Sequence, residues 1–286
     1  MIEKIQSIWN ASYGELFPID ERLIRRNLLE CEAPVDWVQA DGCLALLRRP
    51  KPLWPELDQN TCWIAAFAGD AAALAAVIDQ ARAQGYKKLS FGADPFHLWP
   101  GVPKEYSELI RLLEDHGFEM GGEAFDLSAD LGQIALPSVD LPSGYRIAML
   151  DEPSQLLDFL STEFPGRWHY DTANRLKQET YGLVLLWRGD RVVGFSHIFD
   201  ETSADLGGSV FWRAAMGRHW GGLGPIGIGK SERGKGLGMA LLIGALRVLQ
   251  SHGARQCVID WTDLANFYGK LGFKPWRTYL RAWKAL

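Results

Sequence analysis

The sequence predicts a mixed α and β protein (α+β) of two domains with one topology, each a twisted mixed sheet flanked by helices. Three observations predict this. Two distant segments, Leu113–Phe118 and Gly269–Phe273, close on the same Gly-Phe pair. Each lies downstream of an apolar run with helical spacing that ends at a glycine, Gly85 or Gly253. Each run in turn follows a pair of β-rich stretches around a Gly/Asp turn, so the halves repeat one order of elements.

The elements follow in chain order. Val35–Ala40 and Cys43–Arg49 flank Asp41-Gly42, and two-residue turns of this kind signal a hairpin. Alanine-rich residues 70–85 read as a helix, and Lys88–Gly92 as the strand after it. Ala93–Lys104 is an insertion without a counterpart in the second half, expected as a Pro-rich surface loop, with His97 and Trp99 as the less favoured candidates for a pocket wall. Ser128–Gly144 carries two prolines and several small residues and reads as a connection, which sets the expected domains at 1–135 and 145–286 with a linker at 136–144. Beyond it, Leu183–Arg188 and Arg191–Phe199 flank Gly189-Asp190 as a second hairpin. A strand at Leu223–Ile228, a helix reaching His252 and a strand at Gln256–Trp261 complete the repeat.

Composition narrows the function. The 286 residues are 47% hydrophobic and 23% charged, which excludes a disordered chain. Thirty basic against 35 acidic residues give a formal charge of −5, with no basic footprint for nucleic acid. No run of 18 apolar residues suggests a membrane span. Met1–Asn10 lacks the apolar core of a secretory signal, so a cytoplasmic location is expected. The four cysteines are far apart and read as reduced, buried thiols, and no His/Cys cluster points to a metal. Trp212, His219 and Trp220 read as core.

Two phosphate-loop readings compete for residues 221–247. Gly224–Ser231 fits the nucleotide P-loop pattern, with Lys230 on the phosphates and Ser231 on magnesium. That reading starts a helix at Lys230 and so places Gly234, Gly236 and Gly238 in its first turns, at about 1 kcal/mol each. Pro225, Ile226 and Ile228 also look like a strand. The second reading runs a strand to Ile228, a turn, and then Arg233–Gly238 at a helix start. There the glycines let a diphosphate reach unpaired amides, which the helix dipole favours.

The segment Arg233-Gly-Lys-Gly-Leu-Gly238 resembles motif A (Q/R-x-x-G-x-G/A) of the GCN5-related N-acetyltransferases (GNAT). Phe267-Tyr-Gly-Lys-Leu-Gly-Phe273 is similar to that family's F-Y-x-K-L-G-F element. The resemblance covers about residues 145–286, and the whole chain looks like a tandem GNAT protein whose first half is degenerate. Its layout is similar to that of tandem amino-sugar acetyltransferases. The first half has Ala68-Gly69-Asp70 where motif A would stand. The resemblance implies acetyl-CoA as donor and an amine as acceptor. It implies pantetheine on the backbone of Ile226 and Ile228, with Gly227 giving room, and the diphosphate on Arg233, Gly234, Lys235, Gly236, Leu237 and Gly238. Family members commonly carry an Asn several residues before the Tyr; this chain has Trp261-Thr-Asp263 there, and its Asn266 adjoins the Tyr element.

Direct acetyl transfer needs a base for the amine, donors for the developing oxyanion and an acid for the thiolate. Tyr268 is the candidate acid, or otherwise a core-edge tyrosine. The amide of Ile228 or a neighbour is the candidate oxyanion donor. Asp260, ending an apolar strand, is the candidate base, with Asp263 or a bound water as alternatives; its other reading is a strand-end turn or ion pair. Arg167 and Trp168, followed by His169 and Tyr170, are candidates for a polar ring such as an amino sugar, or for interface packing. A peptide amine as acceptor and a non-catalytic acyl-CoA-binding module are the alternatives.

Overall fold

The computed structural model describes residues 1–38, 42–150 and 152–286. The chain forms two compact units, one of Met1–Phe125, Phe211–Ala215 and Trp276–Leu286, the other of Asp126–Val210 and Met216–Pro275.

In the first unit the chain runs α1 (Ile2–Tyr13), α2 (Glu21–Ile24), which widens into a π-turn at Arg25–Leu29, β1 (Val35–Trp37), β2 (Leu44–Arg48) and β3 (Thr61–Ala68). It continues through α3 (Ala71–Ala83), β4 (Lys88–Phe91), β5 (Val102–Pro103), α4 (Ser107–Asp115) and β6 (Glu119–Asp130). The arms of the first hairpin pair antiparallel, Val35 opposite Arg48, while residue Asp41 of its turn lies outside the described residues. β2 pairs antiparallel with β3, and β3 pairs parallel with β4, α3 making the crossover. Asp70 caps α3 by accepting from Ala73 N–H, and Gly85 after it is left-handed (φ 81°).

The insertion folds inward instead of forming a surface loop. Trp99 is 2% exposed and touches Trp9, Tyr13 and Phe17 at 4.5, 4.9 and 5.3 Å between ring centres. An ion pair between the fully buried Arg48 and Asp94 (2.6 Å) fastens the insertion, and Asp94 also accepts from Phe96 N–H. The Tyr13 hydroxyl donates to Phe67 O on β3 (2.9 Å).

In the second unit come β7 (Tyr145–Met149), α5 (Pro153–Glu163), α6 (Arg167–Leu176), β8 (Leu183–Arg188) and β9 (Arg191–Asp200). After α7 (Arg213–Met216), most of which belongs to the first unit, follow β10 (Trp220–Ile228), α8 (Leu237–Ser251), β11 (Gln256–Thr262), α9 (Ala265–Gly269) and β12 (Lys274–Ala285). β7, β8, β9 and β10 are successively antiparallel, and β10 and β11 are parallel across α8. Arg188 faces Arg191 across the second hairpin, whose Gly189 is left-handed (φ 59°).

The chain enters the second unit at Asp126, inside β6, and residues 136–144 lie within that unit. Side chains of α8 hold this stretch: Gln250 Nε2 donates to Leu131 O (2.7 Å) and Arg247 to Pro137 O (2.5 Å). β12 departs the other way. From Trp276 it belongs to the first unit, where Ala282 pairs with Phe91 and Ala285 with Lys88 along β4.

Trp212 is core, packed on Phe17 at 5.0 Å. His219 is not: it is exposed, left-handed (φ 62°), and its amide bonds Glu201 (2.7 Å). Trp220 is half-buried. Cys62 and Cys257 are buried, whereas Cys31 and Cys43 are half-buried; all four are free thiols. Among the described residues, no helix is long and apolar enough to cross a membrane.

Candidate active site

The site begins where two strands part. β10 and β11 stay paired from Trp220 opposite Gln256 to Leu223 opposite Ile259. Beyond a bulge between Leu223 and Ile226, β10 continues along β9. Gly229 N–H donates to Val193 O (2.9 Å). Antiparallel alternation then turns the backbone of Gly227 and Gly229 toward β9 and that of Ile226 and Ile228 toward the parted side. Gly227 gives room to the protein itself. A side chain there would meet Phe164, Phe195 and Trp168 at 2.8–3.0 Å, so its glycine seats three aromatic rings on the strand, and the space expected for a ligand at this position is filled.

A single turn at Lys230–Glu232 follows, and α8 starts at Leu237 rather than at Lys230. This is the helix register of the second phosphate-loop reading; the nucleotide P-loop would need the helix seven residues earlier. Gly234 (φ 77°) and Gly236 (φ 76°) are left-handed, a conformation that strains other residues. A side chain at either would meet nothing within 4 Å, so the cradle is open. Gly236 caps α8 without a side chain, leaving the first amides of the helix unpartnered by any cap. Arg233 Nε donates to Ile228 O (3.1 Å) and Lys235 Nζ to Glu232 (2.7 Å). Open amides, a helix start and two cations form a cradle of the right chemistry for a diphosphate.

Asp260 is the first residue of β11 beyond the paired stretch. It accepts from Ser209 N–H, and a side chain at Gly208 would overlap its carboxylate. Burial pushes its carboxyl up to about 6, with Arg167 pulling it down and Asp171 adding to the rise. Tyr268 on α9 is 5% exposed and edge-on to Phe267 and Phe273. Burial, with the negative charges of Asp260 and Asp263, raises its phenol to about 12. Asp263 itself is exposed.

α6 brings side chains beside Asp260 and Trp261. Arg167 bonds Asp171 (3.1 Å) and lies over the Trp261 ring (5.0 Å). Asp126 of β6 accepts the amide of Trp261, itself left-handed (φ 40°). Trp168 packs on Phe164 (4.9 Å) and Phe195 (5.7 Å). Thr172 Oγ1 donates to Trp168 O (2.7 Å), so the single hydroxyl proton is spent and the buried His197 Nε2 must donate to Thr172 (2.9 Å). Burial, then the Arg175 charge, holds His197 neutral. Arg167, Trp168, Asp260 and Tyr268 thus share one region, with Asp263 at its edge. Sequence reading missed Phe164, Asp171, Phe195, Ser209, Glu232 and Trp261. Only Asp171, four residues after Arg167, carried a local signal, the helical i,i+4 spacing.

Residues 149–273 match the acetyltransferase (GNAT) family and carry its domain; the order of elements repeats in the two halves, as in tandem proteins of the GNAT fold. The mycothiol acetyltransferase of Thermobispora bispora is 29% identical over 164 residues. That match spans 49% of this chain and half of the relative. Among solved structures, a glucosamine N-acetyltransferase region of a fungal multi-domain GH3 β-N-acetylglucosaminidase superposes over 99% of this chain and 37% of its own, with TM-score 0.77 and 18% identity. A tandem GNAT protein from the clavulanic acid biosynthesis pathway covers 99% and 94%, with TM-score 0.67 and 13% identity.

Proposed function

We propose that this protein is an acetyl-CoA-dependent N-acetyltransferase acting on a primary amine of a small molecule, with an amino sugar such as glucosamine as the preferred acceptor. The observation that carries this reading is the parted strand pair ending in an uncapped, glycine-lined helix start. Acetyl-CoA supplies the activated thioester. In this reading the second unit holds the donor and does the chemistry. Ile226 and Ile228 bind pantetheine through their backbone, and Arg233–Gly238 take the diphosphate.

Asp260 accepts the proton of the incoming amine. A carboxyl near 6 is ionised at neutral pH yet basic enough to take a proton. Tyr268, protonated at any physiological pH, donates to the departing sulfur. Trp168, Trp261 and Arg167 offer flat and charged surfaces for a polar ring, while Asp260 and Asp263 favour a cationic amine over an anionic acceptor. The glucosamine N-acetyltransferase among the fold neighbours supports the same acceptor class.

The test is thiol release from acetyl-CoA with glucosamine, chitobiose, an aminoglycoside or a lysine peptide, for the wild type and Tyr268→Phe. Release with the sugars is expected, with kcat lowered about a hundredfold in the variant and acetyl-CoA affinity kept. Release with the peptide alone would replace the acceptor class. Acetyl-CoA binding without release for any acceptor would favour a binding module.

A further inference from the structure

Glu232 stands in a place where a carboxylate looks misplaced, inside a loop built for anions. It is 3% exposed, and both of its oxygens are engaged. Oε2 accepts from the Tyr145 hydroxyl (2.6 Å) and from Lys235 (2.7 Å), and Oε1 from Arg188 (3.0 Å). Hydrogen bonds from Lys235 and Tyr145, then from Arg188, hold its carboxyl down to about 2. One negative charge therefore faces two cations, and the cluster stays net positive. Lys235 spends one of its three N–H donors on Glu232 and keeps two.

The location explains the arrangement. Tyr145 begins β7 and Arg188 ends β8, so Glu232 ties the loop to two strands of the sheet. At the other end of the same turn, Glu163 of α5 accepts from Lys230 N–H (2.8 Å). Between Glu232 and α8 lie only Arg233–Gly236, with two left-handed glycines that are costly to order.

We propose that Glu232 is the positioning residue of the diphosphate cradle: through Tyr145 and Arg188 it holds the loop in its binding shape before ligand arrives, and it aims Lys235 into the cradle. This rests on the reading of the loop as the donor's diphosphate site. A preorganised loop is not ordered at the expense of ligand affinity.

The experiment is calorimetric titration of the wild type, Glu232→Gln and Tyr145→Phe with CoA. Pantetheine, which lacks the diphosphate, is followed in parallel by ligand-observed NMR. CoA should bind about tenfold more weakly to Glu232→Gln and about threefold more weakly to Tyr145→Phe. Pantetheine binding should be unchanged in both. Unaltered CoA affinity in both variants would overturn the proposal, as would equal weakening toward pantetheine, which marks general damage. Tighter CoA binding by Glu232→Gln would also overturn it, marking Glu232 as a competitor of phosphate. A wild type that binds no CoA would remove the donor reading beneath it.

Discussion

The helix starts at Ala71 and at Leu237 occupy equivalent places in two copies of one fold and have opposite chemistry. Before α3 the Asp70 carboxylate takes the Ala73 amide itself, and Gly69 is crowded by Ala73 and Cys43. Before α8 two left-handed glycines leave the amides to solvent. The strands upstream differ in the same sense. Both parallel ladders hold four residue pairs, Thr61–Ile64 with Lys88–Phe91 and Trp220–Leu223 with Gln256–Ile259. Past the first ladder, Phe67 O is taken by Tyr13, and Trp99 packs on Tyr13. Past the second, Ile226 and Ile228 face the parted side. One copy has closed its cleft with its own side chains, and the difference between a scaffold and a site lies in a cap and a few aromatic rings.

The comparison breaks most sharply if the second helix start is given the cap of the first. Gly236→Asp should lose CoA affinity by at least about a hundredfold, and by far more than Gly236→Asn, which bears the same strain at this left-handed position, because a carboxylate then competes with phosphate for the same amides. Calorimetry with CoA would read this, and retained affinity would remove the amides from the cradle.

Asp260→Asn has no counterpart in the first copy to compare with, and it should cost about 10²–10⁴ in kcat. It should also abolish the acid limb of the pH–rate profile near 6. The sign for stability is the reverse. A carboxyl raised from 3.8 to about 6 in the folded protein costs stability that sets in as pH rises through that window. The variant should therefore melt higher than wild type at pH 7–8 and equally below pH 3.8. A kcat loss without the gain in melting temperature would show that the carboxylate is not strained by burial.

The smallest effect belongs to the first copy. Asp70→Ala should cost about 1 kcal/mol, a drop of about 2–4 °C in melting temperature. CoA affinity should stay unchanged. A change in affinity would mean that the first helix start also takes part in donor binding.

Much of this was legible in the sequence because the informative signals are local. Gly85, Gly253 and the hairpin turns mark their own boundaries, and the glycine run before Leu237 needs no partner to be read. The inward fold of residues 93–104 was not legible. Trp99 meets Trp9, ninety positions away, and Asp94 meets Arg48, so the driving contacts are nonlocal. Glu232 was hidden likewise, since Tyr145 and Arg188 lie 87 and 44 positions from it. Gly227 was legible as a residue that needs room, but only the packing of Phe164, Trp168 and Phe195 showed what fills it.

The path of β12 carries a consequence for synthesis. β4 has β3 on one side and residues 282–285 of β12 on the other. As the chain leaves the ribosome, β4 emerges almost two hundred residues before that neighbour. Throughout that interval the first unit has an unpaired strand edge, open to pairing with another nascent chain. A chain interrupted directly after Pro275 would contain every residue of the second unit and still leave the first one unfinished.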